Sequence, residues 1–449
     1  MFGIPETVLY LAIAIAAALV ALMGPLHSVV YLDLAVVGAG DLSVAGVRID
    51  ASDIVFAMLV LGLLLRAPRT VFSRRVPYLY LWLGLGTFLT AAYLVAPVNQ
   101  HQLVEPLSIA YQIYRYCWQP ILPYLLGVLL FSREDRSRQL LQVLTLIGGV
   151  LGLGGMLQGF QGLGSTSAFS NKNAFGGWLI VVLPCAIALL TLTSRRRLLV
   201  IGALSLMLGS MVYAGSRGAL VAFVVAAVFM SVLLFSRSAG RRRLAQLALT
   251  AASLLLIAAV LKPGLLNRPN VQPFLALTEG ADEVSTFTWR QEHRWPHFFA
   301  LAREHPWFGI GTFVDTSLGG RAANTPHNGY LAISVRSGFP AAILYLIFGL
   351  LAVRNGALLF RRHPDRDVGM IALGLATAVL AVLVHNYVES TLVTQKEIGR
   401  MFFLATGVLA GLHAAWSEER VAAKRAAKAE AEATDFATVA RLPQAEPHP

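Results

Sequence analysis

Charge is what this chain has little of. Only 13% of its 449 residues are Asp, Glu, Lys or Arg, about half the ~25% usual in soluble domains, and that deficit excludes an ordinary soluble globular protein. Cysteine is almost missing as well. Cys117 and Cys185 both fall inside apolar runs, so neither a disulfide nor a thiolate metal site is expected. No P-loop occurs, which argues against an ATP-driven pump. No internal repeat is visible, which weakens an inverted-repeat transporter. No basic residue precedes the first apolar run, from Val8 to Leu22, which therefore reads as a first membrane helix rather than a cleaved signal peptide.

What the chain has instead is apolar sequence, 56% of the total. Many runs reach the ~20 residues needed to cross a bilayer, and the fold class that follows is an all-α polytopic integral membrane protein. Beyond the first run, apolar segments lie near 27–39, 52–65, 77–97, 105–131, 139–160, 173–193, 197–213, 217–236, 243–262, 327–353, 367–388 and 397–416. Their connections sort by charge. Arg66 to Arg75, Arg133 to Arg138, Arg195 to Arg197, Arg237 to Arg243, Arg354 to Arg366 and the tail from Arg420 to Lys428 carry the cations. The positive-inside rule places these in the cytoplasm and the loops at 98–104, 159–172, 214–216, 263–326 and 389–396 outside. The net charge of +12 then reflects cytoplasmic Lys and Arg rather than a nucleic-acid partner. About twelve crossings with both termini inside are expected; thirteen, with the first residue outside, is the alternative. Residues 1–416 form the transmembrane unit, and 417–449 a short cytoplasmic helix followed by disorder.

One outer loop, 263–326, is far larger and more polar than the rest. It contains Trp289-Arg290-Gln291-Glu292-His293-Arg294-Trp295 and Arg303-Glu304-His305-Pro306-Trp307, and ends at Pro326-His327-Asn328-Gly329-Tyr330. Ser285 to Glu304 reads as an amphipathic helix lying on the outer leaflet, with Arg290 near lipid phosphates. Arg217, in Ser216-Arg217-Gly218, opens a membrane helix on the same side. It is either a snorkelling interfacial arginine or an anion ligand at a helix amino-terminus. His327 is either a polar cap or a general base, since a pKa near ~6.5 suits proton abstraction at neutral pH. His293 and His297 have i, i+4 spacing, but neither an HExxH pattern nor a third ligand accompanies them, so no metal is assigned. Gly309-Ile310-Gly311 is a short turn, too little for a nucleotide. Asn171, Lys172 and Asn173 begin one helix, His385 to Glu389 end another, and Arg115 lies inside an apolar segment, where an ionisable residue is functional by default.

These residues resemble the O-antigen ligase and O-antigen polymerase family of membrane glycosyltransferases. The resemblance rests on Ser216-Arg217-Gly218, on the Arg290 segment running into His305-Pro306-Trp307-Phe308-Gly309-Ile310-Gly311, on His327-Asn328-Gly329-Tyr330-Leu331, and on Phe169-Ser170-Asn171-Lys172-Asn173-Ala174-Phe175. It covers roughly Gly154 to Glu389. In place of the acidic residue that the family often carries shortly after the His-Asn motif, this chain has Arg336-Ser337-Gly338. The resemblance implies a GT-C-like fold in the bacterial inner membrane with its active site facing the periplasm. It further implies an undecaprenyl-diphosphate-linked glycan as donor, an acceptor glycan or lipid A core, and no cofactor. His327, Arg217 and Arg290 are the expected catalytic residues. Lys172, Asn171, Asn173, Asn328, Tyr330, Arg115, Arg294 and Glu389 are the expected substrate-binding ones. A ligase, a polymerase and a protein O-oligosaccharyltransferase remain open within this reading, with a lipid-linked glycan flippase or a membrane scaffold as rivals from other classes. Oligomeric state is not legible.

Overall fold

A computed structural model describes residues 13, 15–20, 23, 25–35, 41–44, 47–66, 76–100, 109–110, 113–118, 121–161, 165–169, 171–193, 196–236, 290–311, 317–318, 321–322, 326–390, 392 and 396–440. Helices α1 (Leu26–Ala35) and α2 (Ala51–Arg66) flank a two-stranded hairpin, β1 (Asp41–Val44) with β2 (Val47–Asp50). Then come α3 (Leu79–Gln100), a π-helical turn (Tyr114–Trp118), α4 (Ile121–Leu130), α5 (Glu134–Phe160), α6 (Lys172–Leu192), α7 (Arg197–Ala214) and α8 (Arg217–Phe235). A second π turn (Arg290–Arg294) leads into α9 (Trp295–Glu304), a minimal hairpin of Ser317–Leu318 with Arg321–Ala322, α10 (Gly329–Ser337), α11 (Phe339–Arg362), α12 (Arg366–Val388) and α13 (Lys396–Ala440).

Seven of the described helices are long and apolar enough to cross a membrane: α5, α6, α7, α8, α11, α12 and the Glu397–Ala433 part of α13. The chain is thus a multi-pass membrane protein. The expected twelve crossings are not reached among the described residues. Segment 243–262 lies outside them, and 105–131 divides into the π turn and the ten-residue α4. Segments 27–39 and 52–65 form helices of only 10 and 16 residues.

Burial separates the helices into a centre and a shell. The spanning windows of α6 and α12 are 83% and 89% buried, whereas those of α7 and α8 are 39% and 33% buried. A helix apolar on every face belongs inside a bundle, and α6 meets that condition almost residue for residue from Ala174 to Leu190. On the shell, Leu146, Val150, Leu153 and Leu157 of α5 are each at least 47% exposed and recur at helical spacing, the stripe that lipid would cover. The opposite face of α5 carries Gly148, Gly152 and Gly159, each buried; a Cβ on Gly152 would stand 2.9 Å from the backbone of Leu206 and Met207 on α7. Small residues give the close backbone approach that packs helices where no hydrophobic effect drives them together.

The two ends of the bundle differ chemically. At one end Arg138 donates to the Leu192 carbonyl that closes α6 (2.6 Å) and pairs with Asp367 in the first turn of α12 (3.3 Å), while Arg361 and Arg362 close α11. At the other end stand the start of α6, the α7–α8 turn, the start of α10 and the end of α12. Among the described residues, the helix polarity therefore gathers Arg133 to Arg138, Arg196, Arg197 and Arg361 to Arg366 at one end.

Two expectations change here. The apolar segment 327–353 is not one helix, because it breaks at Gly338. There φ is +84°, a value that disfavours any side chain, and a Cβ would collide with the Trp307 carbonyl. The tail helix is not short either, since α13 continues for 45 residues to Ala440; the disorder expected beyond it falls outside the described residues.

Candidate functional site

The site forms where α12 ends. Glu389 leaves the helix with extended backbone (φ −149°, ψ 150°) while its N–H still bonds the His385 carbonyl at 2.9 Å. Its side chain is only 10% exposed and accepts from two others: His327 Nδ1 at 2.6 Å and Asn173 Nδ2 at 2.8 Å. Asn173 in turn accepts from Ser216 Oγ at 3.0 Å. Arg290 Nη1 donates to the Val388 carbonyl at 3.2 Å. Four separate stretches of sequence thus converge on one carboxylate.

That carboxylate is ionised at neutral pH. Burial pushes its pKa up, but the hydrogen bond and charge of His327, then the charge of Arg290, outweigh burial and hold it below the usual carboxylate range. An ionised carboxylate can only accept, so Nδ1 of a neutral His327 carries the hydrogen and Nε2 keeps its lone pair. His327 also sits at φ +50°. Histidine tolerates the left-handed region better than most residues, and such strain concentrates at functional sites.

The motif around His327 resolves into separate jobs. Asn328 caps α10, its Oδ1 accepting from the Leu331 N–H at 3.0 Å. Gly329 lets the helix start lie against Asn386, which would collide with any Cβ there. The Tyr330 hydroxyl donates to the Leu383 carbonyl at 2.8 Å. At the far end of α10, Ile310 and Gly311 donate to the Val335 and Arg336 carbonyls at 2.8 and 3.0 Å, and Phe339 donates to the Pro306 carbonyl at 2.8 Å. The stretch from His305 to Gly311 therefore satisfies the carbonyl end of α10, and it clamps the helix that presents His327.

These contacts give several of the expected residues partners within the fold. Asn328 and Tyr330, expected at substrate, are engaged within the fold, and Asn171 is likewise a cap, accepting from the Asn173 and Ala174 N–H groups. Asn173 touches Glu389 and Ser216. Glu389, expected to bind substrate, is the partner of His327. It lies 62 residues downstream of His327. Of the expected amphipathic stretch 285–304, residues 285–289 lie outside the described residues, 290–294 form the π turn and 295–304 form α9. Its Phe298 and Ala302 pack with Ile310 and Val335 of the protein itself, so the Arg290 segment is held by protein contacts rather than by lipid alone; only Phe299 on that helix remains an exposed large apolar group. Arg115 belongs to the Tyr114–Trp118 turn, and its side chain lies outside the described residues.

Arg217 and Lys172 are exposed, each the first residue of its helix. Arg294 stands near Arg290, and its pKa is lowered by burial and by the charge of Arg290. Two guanidiniums thus face one carboxylate, with two further cations at the rim. The amino-terminal ends of α6, α8 and α10, where backbone N–H groups point outward, meet at the same place through Asn173, Ser216 and His327. The field there favours an anion.

Sequence reasoning did not find the ion group of Arg400, Asp33 and Asp53. Arg400 bonds Asp33 at 3.3 Å and Asp53 at 2.7 Å. The signal was present, since each is an ionisable residue inside an apolar run.

Residues 202–346 match the family model described as O-antigen ligase. The match runs from within α7 into α11 and includes Arg217, Arg290, Arg294 and His327, while Lys172, Asn173 and Glu389 lie outside it. No curated protein matches the chain significantly. The motif order at the site and the matched segment agree, and residues 202–346 of the chain are similar to the O-antigen ligase family.

Proposed function

We propose that this protein moves a glycan from an undecaprenyl-diphosphate-linked donor to an acceptor hydroxyl at the periplasmic face of the inner membrane, as an O-antigen ligase or as an O-antigen or exopolysaccharide polymerase. The observation that carries this reading is the 2.6 Å bond between His327 and the ionised Glu389, set among guanidiniums. Glu389 fixes the ring and its tautomer. Nε2 then takes the proton from the acceptor hydroxyl as its oxygen forms a bond to the anomeric carbon. The bond from that carbon to the diphosphate oxygen breaks, and its electron pair leaves with the diphosphate. Arg290 and Arg294, with Arg217 and Lys172 at the rim, meet the charge that develops there. Guanidinium binds phosphate through paired donors, and fixed charge of this kind lowers such barriers by several kcal/mol, roughly 3–4 for a single well-placed donor. The sugar is inverted by direct displacement.

The test is a deletion strain complemented with wild type or with H327A. Loss of O-chains with accumulated lipid-linked polymer indicates a ligase, and single-repeat products indicate a polymerase. Normal glycan from the H327A strain would remove His327 from the mechanism, and unchanged glycans in the deletion strain itself would end the transferase reading.

A further inference from the structure

We infer that His385 is a positioning residue for Glu389: a neutral imidazole packed beneath the carboxylate, whose N–H dipole steadies an anion that α12 holds at its own carbonyl end. The inference rests on the roles given above to His327 and Glu389. A carboxylate at the carboxyl-terminal end of a helix faces the negative pole of the helix dipole. Glu389 is in that position, and each group that favours its charge from above belongs to another stretch of chain. His385 is the one titratable group on α12 that lies a turn below it, joined through the bond from the Glu389 N–H to the His385 carbonyl.

The ring is enclosed. It is 1% exposed, and neither nitrogen has a hydrogen-bond partner among the described residues. Two neighbouring helices make room for it with glycines. A Cβ on Gly177 of α6 would stand 3.2 and 3.3 Å from Cε1 and Nδ1, and one on Gly218 of α8 would stand 3.4 and 3.6 Å from Cδ2 and Nε2. The same two helices carry Asn173 and Ser216, the polar chain that reaches Glu389. A slot of this shape built only for packing would be filled at lower cost by Phe, which buries no unsatisfied nitrogen. Buried polar groups left without partners in a native fold call for a reason, and a low-dielectric slot makes a dipole count for more.

The charged and titratable groups on the elements around His385 include Lys172 and Cys185 on α6, Arg217 on α8, Arg290, Glu292, His293 and Arg294 on the π turn, His327 before α10 with Tyr330 and Arg336 on it, and Glu397 and Arg400 on α13. The experiment uses the full chain in detergent or nanodiscs. Infrared spectra follow the protonated-carboxyl band of Glu389 against pH, with E389Q assigning the band; this arm needs no turnover. In H385F the band should appear at higher pH than in wild type. In a glycan-transfer assay, kcat should fall roughly tenfold with KM unchanged and the acid limb of the pH–rate profile moved up, and H385N should restore part of both. An unchanged band and unchanged kcat in a folded H385F would overturn the inference, because the ring would then only fill space. Should H385F not fold, H385L against H385N carries the same contrast. Wild-type activity in H327A would sink the transferase reading while leaving the infrared result standing.

Discussion

Two ion groups, each setting cationic side chains against carboxylates, behave in opposite ways. In one, Arg400 of α13 is shared by Asp33 of α1 and Asp53 of α2, with side-chain exposures of 6%, 10% and 14%. In the other, Glu389 is 10% exposed but its partner His327 is 31% exposed, and Arg217 and Lys172 reach solvent nearby. The first group has two carboxylates for one guanidinium and is closed. The second has several cations for one carboxylate and is open on one side. Saturation explains the difference. A guanidinium with a carboxylate on each side has no need of a further anion and holds helices together, whereas excess positive charge around a single carboxylate favours a further anion.

This contrast predicts two different failures. His327→Ala should lower glycan transfer by about 10² to 10⁴-fold, with an unfolding midpoint close to wild type. Arg400→Ala should destabilise the fold by roughly 3–5 kcal/mol, because it removes a buried guanidinium that two carboxylates share, and it should reduce the yield of folded protein in detergent before any kinetic effect is measured. Replacing Arg400, Asp33 and Asp53 together by apolar residues of similar volume should recover most of that loss. If H327A unfolds, or R400A stays stable but inactive, the assignment of the open group to chemistry and the closed group to structure is reversed.

The same contrast shows what was legible. The membrane class could be read from hydropathy, and the gathering of motif residues at one end of the bundle from charge and order. Pairing could not. His327 and Glu389 are separated by α10, α11 and α12, and nothing local in either segment marks the other. The Asn-rich start of α6 reads as substrate contact because caps and ligands use the same amides, and only geometry separates Asn171, which caps, from Asn173, which holds Glu389. The break at Gly338 was hidden because the residues on both sides are apolar, while its cause, the Trp307 carbonyl, comes from a different stretch of chain. Asp33, Asp53 and Arg400 were visible one by one as charges in apolar runs, but three lone charges do not announce a triplet.

A third test changes the open group without emptying it. Arg290→Lys keeps a cation near Glu389 but removes the paired donors that fit a phosphate. Transfer should fall roughly 10- to 100-fold with folding unaffected, as one charge-assisted bond of about 1.5–3 kcal/mol is lost. The corresponding Arg400→Lys change bears on the closed group, where one ammonium cannot serve two carboxylates in the same geometry, and it should lower stability rather than rate. Equal effects of the two lysine changes on rate would erase the distinction.

The smallest effect tests the ionisation of Glu389 directly. Its pKa is held below the ordinary glutamate value in the folded protein, by the hydrogen bond and charge of His327 and the charge of Arg290 working against burial. A group whose folded value is depressed stabilises in full above the unfolded value, and that contribution is lost as pH falls through the folded value. Glu389→Gln has the same shape and no charge, so it lacks this contribution at every pH. The gap in unfolding temperature between wild type and E389Q should therefore be widest near neutral pH and should narrow on acidification below about pH 4. A gap that stays constant from neutral pH to acid would mean that the His327–Glu389 bond is a neutral one. Glu389 would then be a carboxylic acid that donates, His327 Nδ1 would be the acceptor, and the tautomer required for proton abstraction at Nε2 would be lost.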